Sequence, residues 1–288
     1  MKFLVITNAP TLLQDEKHVA YAPYVAEMNI WFKYVDEITI LSPTKHHQKL
    51  LTTPFNKQVN SISVPPLAFT NFGKALSSVI SLPIILFKMF VACKIADHIH
   101  LRCPGTIGLL GCLVQICFPK KIKTAKYAGN WDPAAKQPIS YKFQKWLLSN
   151  TLLTKNMTAL VYGDWKNQTK NIKSFFTATY TNGERQGSKN RNYSGALKFV
   201  FVGSLVDGKC PLLAIEIIEA LIKQGTDITL DIYGEGLLKP DLQKYIVDNK
   251  LGAKVRLLGN RKQTEIKQAL KESHFLILPS KSEGWPKA

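Results

Sequence analysis

Apolar residues recur along the chain in two alternating patterns. Short runs rich in β-branched residues predict β-strands, and the longer segments between them repeat with the period of a helix. The strands predicted in the first part lie at residues 2–7, 37–42, 98–103, 123–128 and 159–163, and the helices lie at about 21–35, 76–96, 106–117 and 140–149. Because alternating strands and helices form parallel sheets covered by helices, the pattern predicts an α/β fold.

A polar stretch without periodicity divides the chain. Residues 184–195, ERQGSKNRNYSG, are predicted to form a linker. After it, predicted strands at 197–203, 227–234, 254–259 and 274–279 alternate with predicted helices at 211–224, 238–249 and 264–273. We therefore predict two Rossmann-like doubly wound domains, residues 1–183 and residues 196–288, of which the second has half or more of its elements.

The charge of the chain predicts an electropositive surface. There are 38 Lys and Arg against 20 Asp and Glu, a net charge of +18, and this favours phosphates, nucleic acid or an anionic membrane as partners. Nucleic acid is disfavoured, because the basic runs are not interleaved with aromatic residues in a recognised module. Seven Lys lie between 120 and 145, and six Lys or Arg lie between 166 and 191. Together with the apolar segment 79–93 they indicate docking on anionic lipid, and a solvated basic face is the alternative.

Other sequence signals limit the class of protein. Segment 79–93 falls short of the ~20 apolar residues that a membrane span needs, which favours a buried or membrane-surface helix. The start, MKFLVITNAP, is interpreted as a first strand and not as a signal peptide. The five cysteines form no C-x-x-C pair and are expected to be buried thiols of a reducing, cytoplasmic compartment. The six His are not grouped with Cys or carboxylates at ligand spacing, so no metal site is predicted.

The loops after the strands of the second domain are the candidates for ligand binding, because open parallel sheets bind ligands at the carboxyl ends of their strands. Gly203 ends a strand, and Lys209 precedes a helix that opens with Pro211. Backbone N–H groups at a helix start and a nearby ammonium can bind a phosphate or diphosphate. The loop is not a Walker motif, because Cys210 takes the position of the hydroxyl residue. A glycine-rich turn with a solvated lysine is the alternative.

Two further loops carry candidate residues. The glycine pair of Gly234 and Gly236 lets a ligand or another backbone come close, or forms an ordinary turn. Glu283 offers a carboxylate that can accept hydrogen bonds from vicinal hydroxyls, while Gly284 and Trp285 offer backbone N–H donors. An acidic first turn of a helix explains Glu283 equally well.

The run FVGSLVDGKCPLLAIEII … LDIYGEG … VRLLGN … ILPSKSEGWPKA resembles the donor-binding half of GT-B glycosyltransferases, of the large retaining group called family 4 or glycosyl transferases group 1. The resemblance implies a nucleotide-sugar donor, linked to UDP or GDP, between two Rossmann-like domains, and transfer with retention and without a metal or other cofactor. Lys209 matches the second member of the family's basic pair, and Ser204 stands where the first, normally Arg, is found. Asn260 and Arg261 match the loop near the nucleotide base, and the turn of Gly234 and Gly236 matches the glycine turn beside the donor.

The resemblance also bears on the end of the chain. Glu283 matches the first glutamate of the family's E-x7-E motif, whose backbone neighbours hold the transferred sugar, and the second glutamate falls beyond residue 288. We therefore expect a C-terminally truncated chain with an incomplete second domain. The leading hypothesis is a glycosyltransferase that acts on a glycan or lipid-linked acceptor in envelope or exopolysaccharide synthesis. The alternative is a non-catalytic fragment or partner subunit that binds a nucleotide sugar weakly.

Two stretches of the first domain hold candidates for the acceptor side. Asn130 and Asp132 are the candidate catalytic residues: they lie in the motif G-N-W-D-P after a predicted strand, where polar groups could reach the reacting sugar. Asp132 before Pro133 is also suited to shape a turn or to cap a helix. Glu27 is predicted on one helical face with aromatic residues, which makes it a candidate to face the acceptor.

Overall fold

The computed structural model describes residues 1–44, 51–68, 71–176, 183, 187, 190–281 and 283. The chain divides into two compact units, Met1–Phe176 and Thr177–Ala288. The predicted linker, 184–195, lies partly outside the described residues, and the predicted domain bounds stay a prediction.

A parallel sheet forms the centre of the first unit. The strands are β1 (Lys2–Ile6), β2 (Leu12–Gln14), β3 (Lys17–Tyr21), β4 (Glu37–Ser42), β5 (Thr52–Pro54), β6 (Asn60–Ser63), β7 (His98–Cys103), β8 (Ile122–Tyr127), β9 (Met157–Val161) and β10 (Ile172–Ser174). The helices are α1 (Ala22–Phe32), α2 (Phe72–Ile95), α3 (Thr106–Val114) and α4 (Ile139–Ser149). The parallel sheet has the order β10-β9-β8-β7-β1-β4-β6, and β2, β3 and β5 form a separate antiparallel sheet.

Both faces of the parallel sheet are buried. On β1, Phe3 and Val5 pack in one core with residues of α1, while Leu4 and Ile6 pack in a second core with residues of α2, α3 and α4. This two-sided burial explains why the central strands of the sheet read as nearly continuous apolar runs.

The second unit repeats the same principle with a smaller sheet. Its elements are β11 (Leu197–Val202), α5 (Pro211–Lys223), β12 (Ile228–Tyr233), α6 (Lys239–Asp248), β13 (Val255–Gly259), α7 (Gln263–Glu272) and β14 (Phe275–Leu276). The parallel order is β13-β12-β11-β14, so the strand order reverses at β11. A reversal of this kind opens a crevice at the carboxyl ends of the strands, which is where doubly wound folds bind ligands.

The predicted α/β class is confirmed, and each predicted strand and helix overlaps an observed one. The small antiparallel sheet and the strands β6 and β10 were missed, because three to five residues are too short to show a period. Strand pairing in β14 covers only Phe275–Leu276 and is shorter than the predicted 274–279.

The prediction that the cysteines are buried holds for some of them only. Cys93, Cys103 and Cys112 are buried, whereas Cys117 is exposed and Cys210 is half-buried. Cys117 ends the short 3-10 turn after α3, and Cys210 lies in the loop before α5, so neither thiol points into a core. All five thiols are free.

Candidate functional site

The loops that follow β11, β12, β13 and β14 meet at one edge of the second sheet. Backbone hydrogen bonds join them: the N–H of Gly203 donates to Tyr233 O at 3.0 Å, and the N–H of Gly234 donates to Gly259 O at 3.0 Å. The N–H of Lys281 donates to Gly208 O, also at 3.0 Å. The four candidate loops of the second unit therefore form one continuous surface.

The glycine pair is required by close contact between two loops. Gly234 has φ +147°, and a Cβ there would lie 1.9 Å from Gly203 O. A Cβ on Gly236 would lie 2.3 Å from Leu205 O. The turn after β12 thus lies backbone to backbone against the loop after β11, which is one of the two explanations that the sequence left open for these glycines.

The loop after β11 leads directly into α5, and the start of this helix offers backbone N–H donors. Asp207–Lys209 form a 3-10 turn, Cys210 adopts the left-handed conformation with φ 48°, and Pro211 is the first residue of the helix. No side chain caps this helix start. Its first N–H groups and the positive end of its dipole are therefore available to an anion.

Two residues that are far apart in sequence form an ion pair at this edge. The Nζ of Lys209 contacts Oε1 of Glu283, and both side chains are partly exposed. A partly exposed pair of this kind contributes about 0–1 kcal/mol, so a charged ligand could separate it at small cost. Lys281 Nζ lies 2.6 Å from Asp207 Oδ2 in an exposed ion pair that the sequence did not suggest.

The remaining described donor candidates lie in the loops after β11 and β13. Ser204 is exposed directly after Gly203, and Asn260 and Arg261 are exposed after β13, the outermost strand of the sheet. Arg261 Nη1 lies 4.0 Å from Glu265 at the start of α7. Gly284 and Trp285 lie outside the described residues.

In the first unit, Glu27 is held between two cations. Arg102 Nη1 donates to Glu27 Oε1 at 2.6 Å, and Lys126 Nζ lies 2.6 Å from Oε2. Arg102 and Lys126 are register partners on β7 and β8, and Glu27 reaches them from α1. Their placement near the carboxyl ends of two predicted strands was the sequence signal that could have identified them.

Burial and charge set the ionisation of this cluster. Burial alone would raise the pKa of the Glu27 carboxyl, but Arg102 and Lys126 outweigh it and hold that pKa at about 2. Burial lowers the pKa of the Lys126 ammonium, and Glu27 opposes that effect. Burial also lowers the pKa of His100 on β7 to about 3, so this imidazole is neutral. The structure gives Glu27 a defined ion-pair role, and its contact with an acceptor stays a prediction.

Asn130 and Asp132 are engaged in turns. Asn130 Oδ1 accepts the N–H of Asp132 at 2.8 Å, and Asp132 Oδ1 accepts the N–H of Ala134 at 2.8 Å. Lys145 Nζ donates to the carbonyl oxygens of Trp131 and Asp132 at 2.8 and 3.1 Å. This is the turn-shaping arrangement that the sequence offered as the alternative to a catalytic role.

Side chains of the types that bind metal ions are not clustered in the part of the chain that the structure describes. Among these residues there is no cluster of three or more His, Cys, Asp or Glu side chains that could hold a metal ion.

Comparison with known proteins links the second unit to one family. Residues 183–288 match the model of the family described as Glycosyl transferases group 1. A curated relative, an uncharacterised glycosyltransferase of Methanocaldococcus jannaschii, is 30% identical over 86 residues. That match spans 30% of this chain and 23% of the relative, so the chain covers about a quarter of the length of that protein.

Solved structures resemble the whole chain. HepE of Anabaena, in complex with UDP and glucose, has a TM-score of 0.65 at 12% identity over 99% of this chain and 76% of HepE. The lipopolysaccharide outer core galactosyltransferase WaaB has a TM-score of 0.59 at 14% identity over 99% of this chain and 76% of WaaB. The chain therefore shares the α/β fold of HepE and WaaB, and its residues 183–288 match the family model of glycosyl transferases group 1.

Proposed function

We propose that this protein is a retaining glycosyltransferase that moves a sugar from a UDP- or GDP-linked donor to a glycan or lipid-linked acceptor. The observation that carries the proposal is the meeting of Lys209, Glu283 and the uncapped start of α5 at the carboxyl edge of one parallel sheet. The match of residues 183–288 to the glycosyltransferase family supports the same assignment.

The charges at this edge suit the departure of a nucleoside diphosphate. The Lys209 ammonium, the Ser204 hydroxyl and the N–H groups at the start of α5 would stabilise the negative charge that develops on the leaving phosphate oxygens. The Lys209 ammonium and the positive end of the α5 dipole would supply the positive charge that a bound metal would otherwise provide, and we therefore propose a metal-independent reaction.

The ion pair gives a structural account of donor entry. When the donor binds, its diphosphate would compete with Glu283 for Lys209, and the freed Glu283 carboxylate would accept hydrogen bonds from hydroxyls of the sugar. One partly exposed ion pair would then be replaced by two sets of charge-assisted contacts, Lys209 with the diphosphate and Glu283 with the sugar hydroxyls.

We further propose that the enzyme works at the cytoplasmic face of a membrane in envelope or exopolysaccharide synthesis. The basic excess supports this location, since residues 1–176 contain 21 Lys and Arg against 8 Asp and Glu. A lipid-linked acceptor would be presented at such a surface.

The donor site is tested by thermal unfolding in the presence of UDP, GDP and their sugar conjugates. At least one of these ligands should stabilise the protein, by about 2.7 kcal/mol when its concentration is about 100 times its dissociation constant. The Lys209→Ala variant should lose most of this stabilisation, because it removes the ammonium that faces the diphosphate.

The matched control is Lys254→Ala. Lys254 also forms an exposed ion pair, with Asp227 at 2.6 Å, but at the opposite, amino-terminal edge of the same sheet. The nucleotide or nucleotide sugar should stabilise the Lys254→Ala variant as much as it stabilises the unmodified protein. The proposal fails if no nucleotide or nucleotide sugar stabilises the chain, or if both variants lose the effect equally.

A further inference from the structure

Helix α2 is apolar on both its faces. Ile85, Met89 and Cys93 are completely buried in the core of the first unit. The opposite face is exposed to solvent: Ile80 is 70% and Phe87 is 68% exposed. The other exposed apolar residues of this face are Leu76, Val79, Ile84, Leu86, Phe90, Val91 and Ile95. A contiguous apolar stripe of this length on a soluble surface indicates an interaction site.

Two neighbouring helices extend this apolar surface. Helix α3 packs against α2 and α4 packs against α3, and all three contribute to the same core on one face of the sheet. On the outer side of α4, Ile139, Phe143 and Trp146 are exposed at a spacing that places them on one helical face, and the rings of Phe143 and Trp146 stack at 5.7 Å. We name this surface the outer face of the α2–α3–α4 layer.

Basic residues border the outer face. The loop after α3 lies at the end of α2, because Phe118 packs on Phe90 at 4.9 Å and Lys121 Nζ donates to Lys94 O at 2.9 Å. Exposed lysines of this border are Lys94 at the end of α2, Lys120 in the loop after α3, and Lys142 directly before Phe143 on α4. Residues 72–155 contain only two acidic residues, Asp97 and Asp132. The border is therefore strongly positive.

The burial of α2 decides how it can meet a membrane. The apolar part of α2 is longer than residues 79–93, which were expected to be too short for a span: by length and composition the segment Ala75–Ile95 is apolar enough to cross a bilayer. Crossing would remove Ile85, Met89 and Cys93 from the core in which they are packed. A helix that keeps its inner face in the protein can insert only its outer face, lying in the plane of the interface.

We propose that the outer face of the α2–α3–α4 layer docks on a bilayer that contains anionic lipid. The apolar stripe of α2 enters the boundary between head groups and acyl chains, and Trp146 lies at the level of the head groups, where amphipathic rings are favoured. Lys94, Lys120 and Lys142 attract the anionic head groups. The inference stands on this surface alone and does not require that the second unit binds a nucleotide sugar.

The test is co-sedimentation with vesicles of phosphatidylcholine alone and of phosphatidylcholine with about 30% phosphatidylglycerol. The full chain should partition to the anionic vesicles and only weakly to the neutral ones. The double variant Ile84→Ser/Phe87→Ser should lower the partition coefficient at least about tenfold, because it removes apolar contacts with the acyl chains. Leu237→Ser is the control, since Leu237 is 76% exposed in the second unit, outside this layer.

A second variant tests the charge border without changing the apolar stripe. Lys120→Glu/Lys142→Glu should weaken binding to the phosphatidylglycerol vesicles by about tenfold or more, and added salt should weaken the binding of the unmodified chain. All these variants should unfold at the temperature of the unmodified protein, because the replaced side chains are exposed.

Several outcomes would overturn the docking proposal. The proposal fails if the unmodified chain does not bind anionic vesicles. It also fails if the Leu237→Ser control loses as much binding as the Ile84→Ser/Phe87→Ser variant. A third contradicting outcome is a dimer in sedimentation velocity that the Ile84→Ser/Phe87→Ser variant converts to a monomer, while neither protein binds vesicles. In that case a second copy of the chain, and not a membrane, covers the outer face. The vesicle assay contains no nucleotide and the thermal-shift assay contains no lipid, so the two proposals fail separately.

Discussion

Gly234 is the backbone position that most constrains the loops of the candidate donor site. Its φ of +147° is rare for residues with a side chain, and the carbonyl oxygen of Gly203 occupies the space of a Cβ. The sequence identified the glycine pair, but the conformation and the neighbouring oxygen come from the fold.

We predict that Gly234→Ala lowers the free energy of unfolding by roughly 2–4 kcal/mol, since it adds backbone strain and an atomic overlap. Gly252→Ala is the control, because a Cβ there meets nothing within 4 Å, and it should change stability by less than about 1 kcal/mol. Urea unfolding measures both. Equal effects of the two substitutions would contradict the prediction.

Glu27 shows how a single carboxylate can compensate two partly or fully buried cations. Its side chain is 9% exposed, that of Lys126 is 1% exposed and that of Arg102 is 15% exposed. The rings of Tyr24 and Phe175 lie against the two cations at 4.8 and 4.7 Å. Aromatic faces add to the attraction but do not replace the counter-charge.

We predict that Glu27→Gln lowers the free energy of unfolding at pH 7 by about 3–5 kcal/mol, because Arg102 and Lys126 are left without their anion. The control is Glu235→Gln, which breaks an exposed pair with Lys239 and should cost less than about 1 kcal/mol. Chemical denaturation at neutral pH compares the two variants.

The pKa of Glu27 gives the same substitution a pH signature. The carboxyl has a pKa of about 2 in the fold against an ordinary value of 4.5. A depressed pKa contributes stability that is fully present above the ordinary value and is lost as the pH falls through the folded value. The stability difference between the unmodified chain and Glu27→Gln should therefore shrink by more than half between about pH 7 and about pH 3. A difference that stays constant over this interval would refute the ion-pair explanation.

At the scale of elements, α2 is the helix whose environment the sequence described least. Apolar residues surround the whole helix, so no period marks an inner face. The fold separates the apolar residues of α2 into a buried and an exposed face: Met89 is fully buried and Phe87 is 68% exposed, although they are two residues apart.

We predict that Met89→Ala lowers the free energy of unfolding by about 2–5 kcal/mol, because it leaves a cavity in the core. Phe87→Ala should change it by less than about 1 kcal/mol, since no packed contact with the core is lost. Thermal or urea unfolding checks the pair. A larger loss for Phe87→Ala would mean that the outer face of α2 is covered in the free protein.

Element boundaries illustrate what a local pattern contains. Strands β1, β4 and β7 were predicted to within about one residue, because an apolar β-branched run ends where polar residues begin. In the sheet of β2, β3 and β5, the strands β3 and β5 are separated in sequence by α1 and β4. Strands of three to five residues are too short to show a period, so the sequence does not predict this pairing.

At the scale of the whole molecule, charge is distributed unevenly. Residues 177–288 contain 17 Lys and Arg against 12 Asp and Glu, so most of the net charge of +18 belongs to the first unit. The unit that would meet a membrane and the unit that would bind the donor are thus chemically different. This division agrees with the two proposals, which assign the two tasks to separate surfaces.

The sequence by itself determined the α/β class, the order of the main strands and helices, and the loops of the second unit in which a ligand should be sought. These follow from local periodicity and from the rule that parallel strands collect their carboxyl ends at one edge. Only the tertiary structure decided that Lys209 meets Glu283, that Arg102 and Lys126 enclose Glu27, and that one face of α2 remains exposed. Each of these depends on strand order and on helix orientation, which bring distant residues together and which no local pattern encodes.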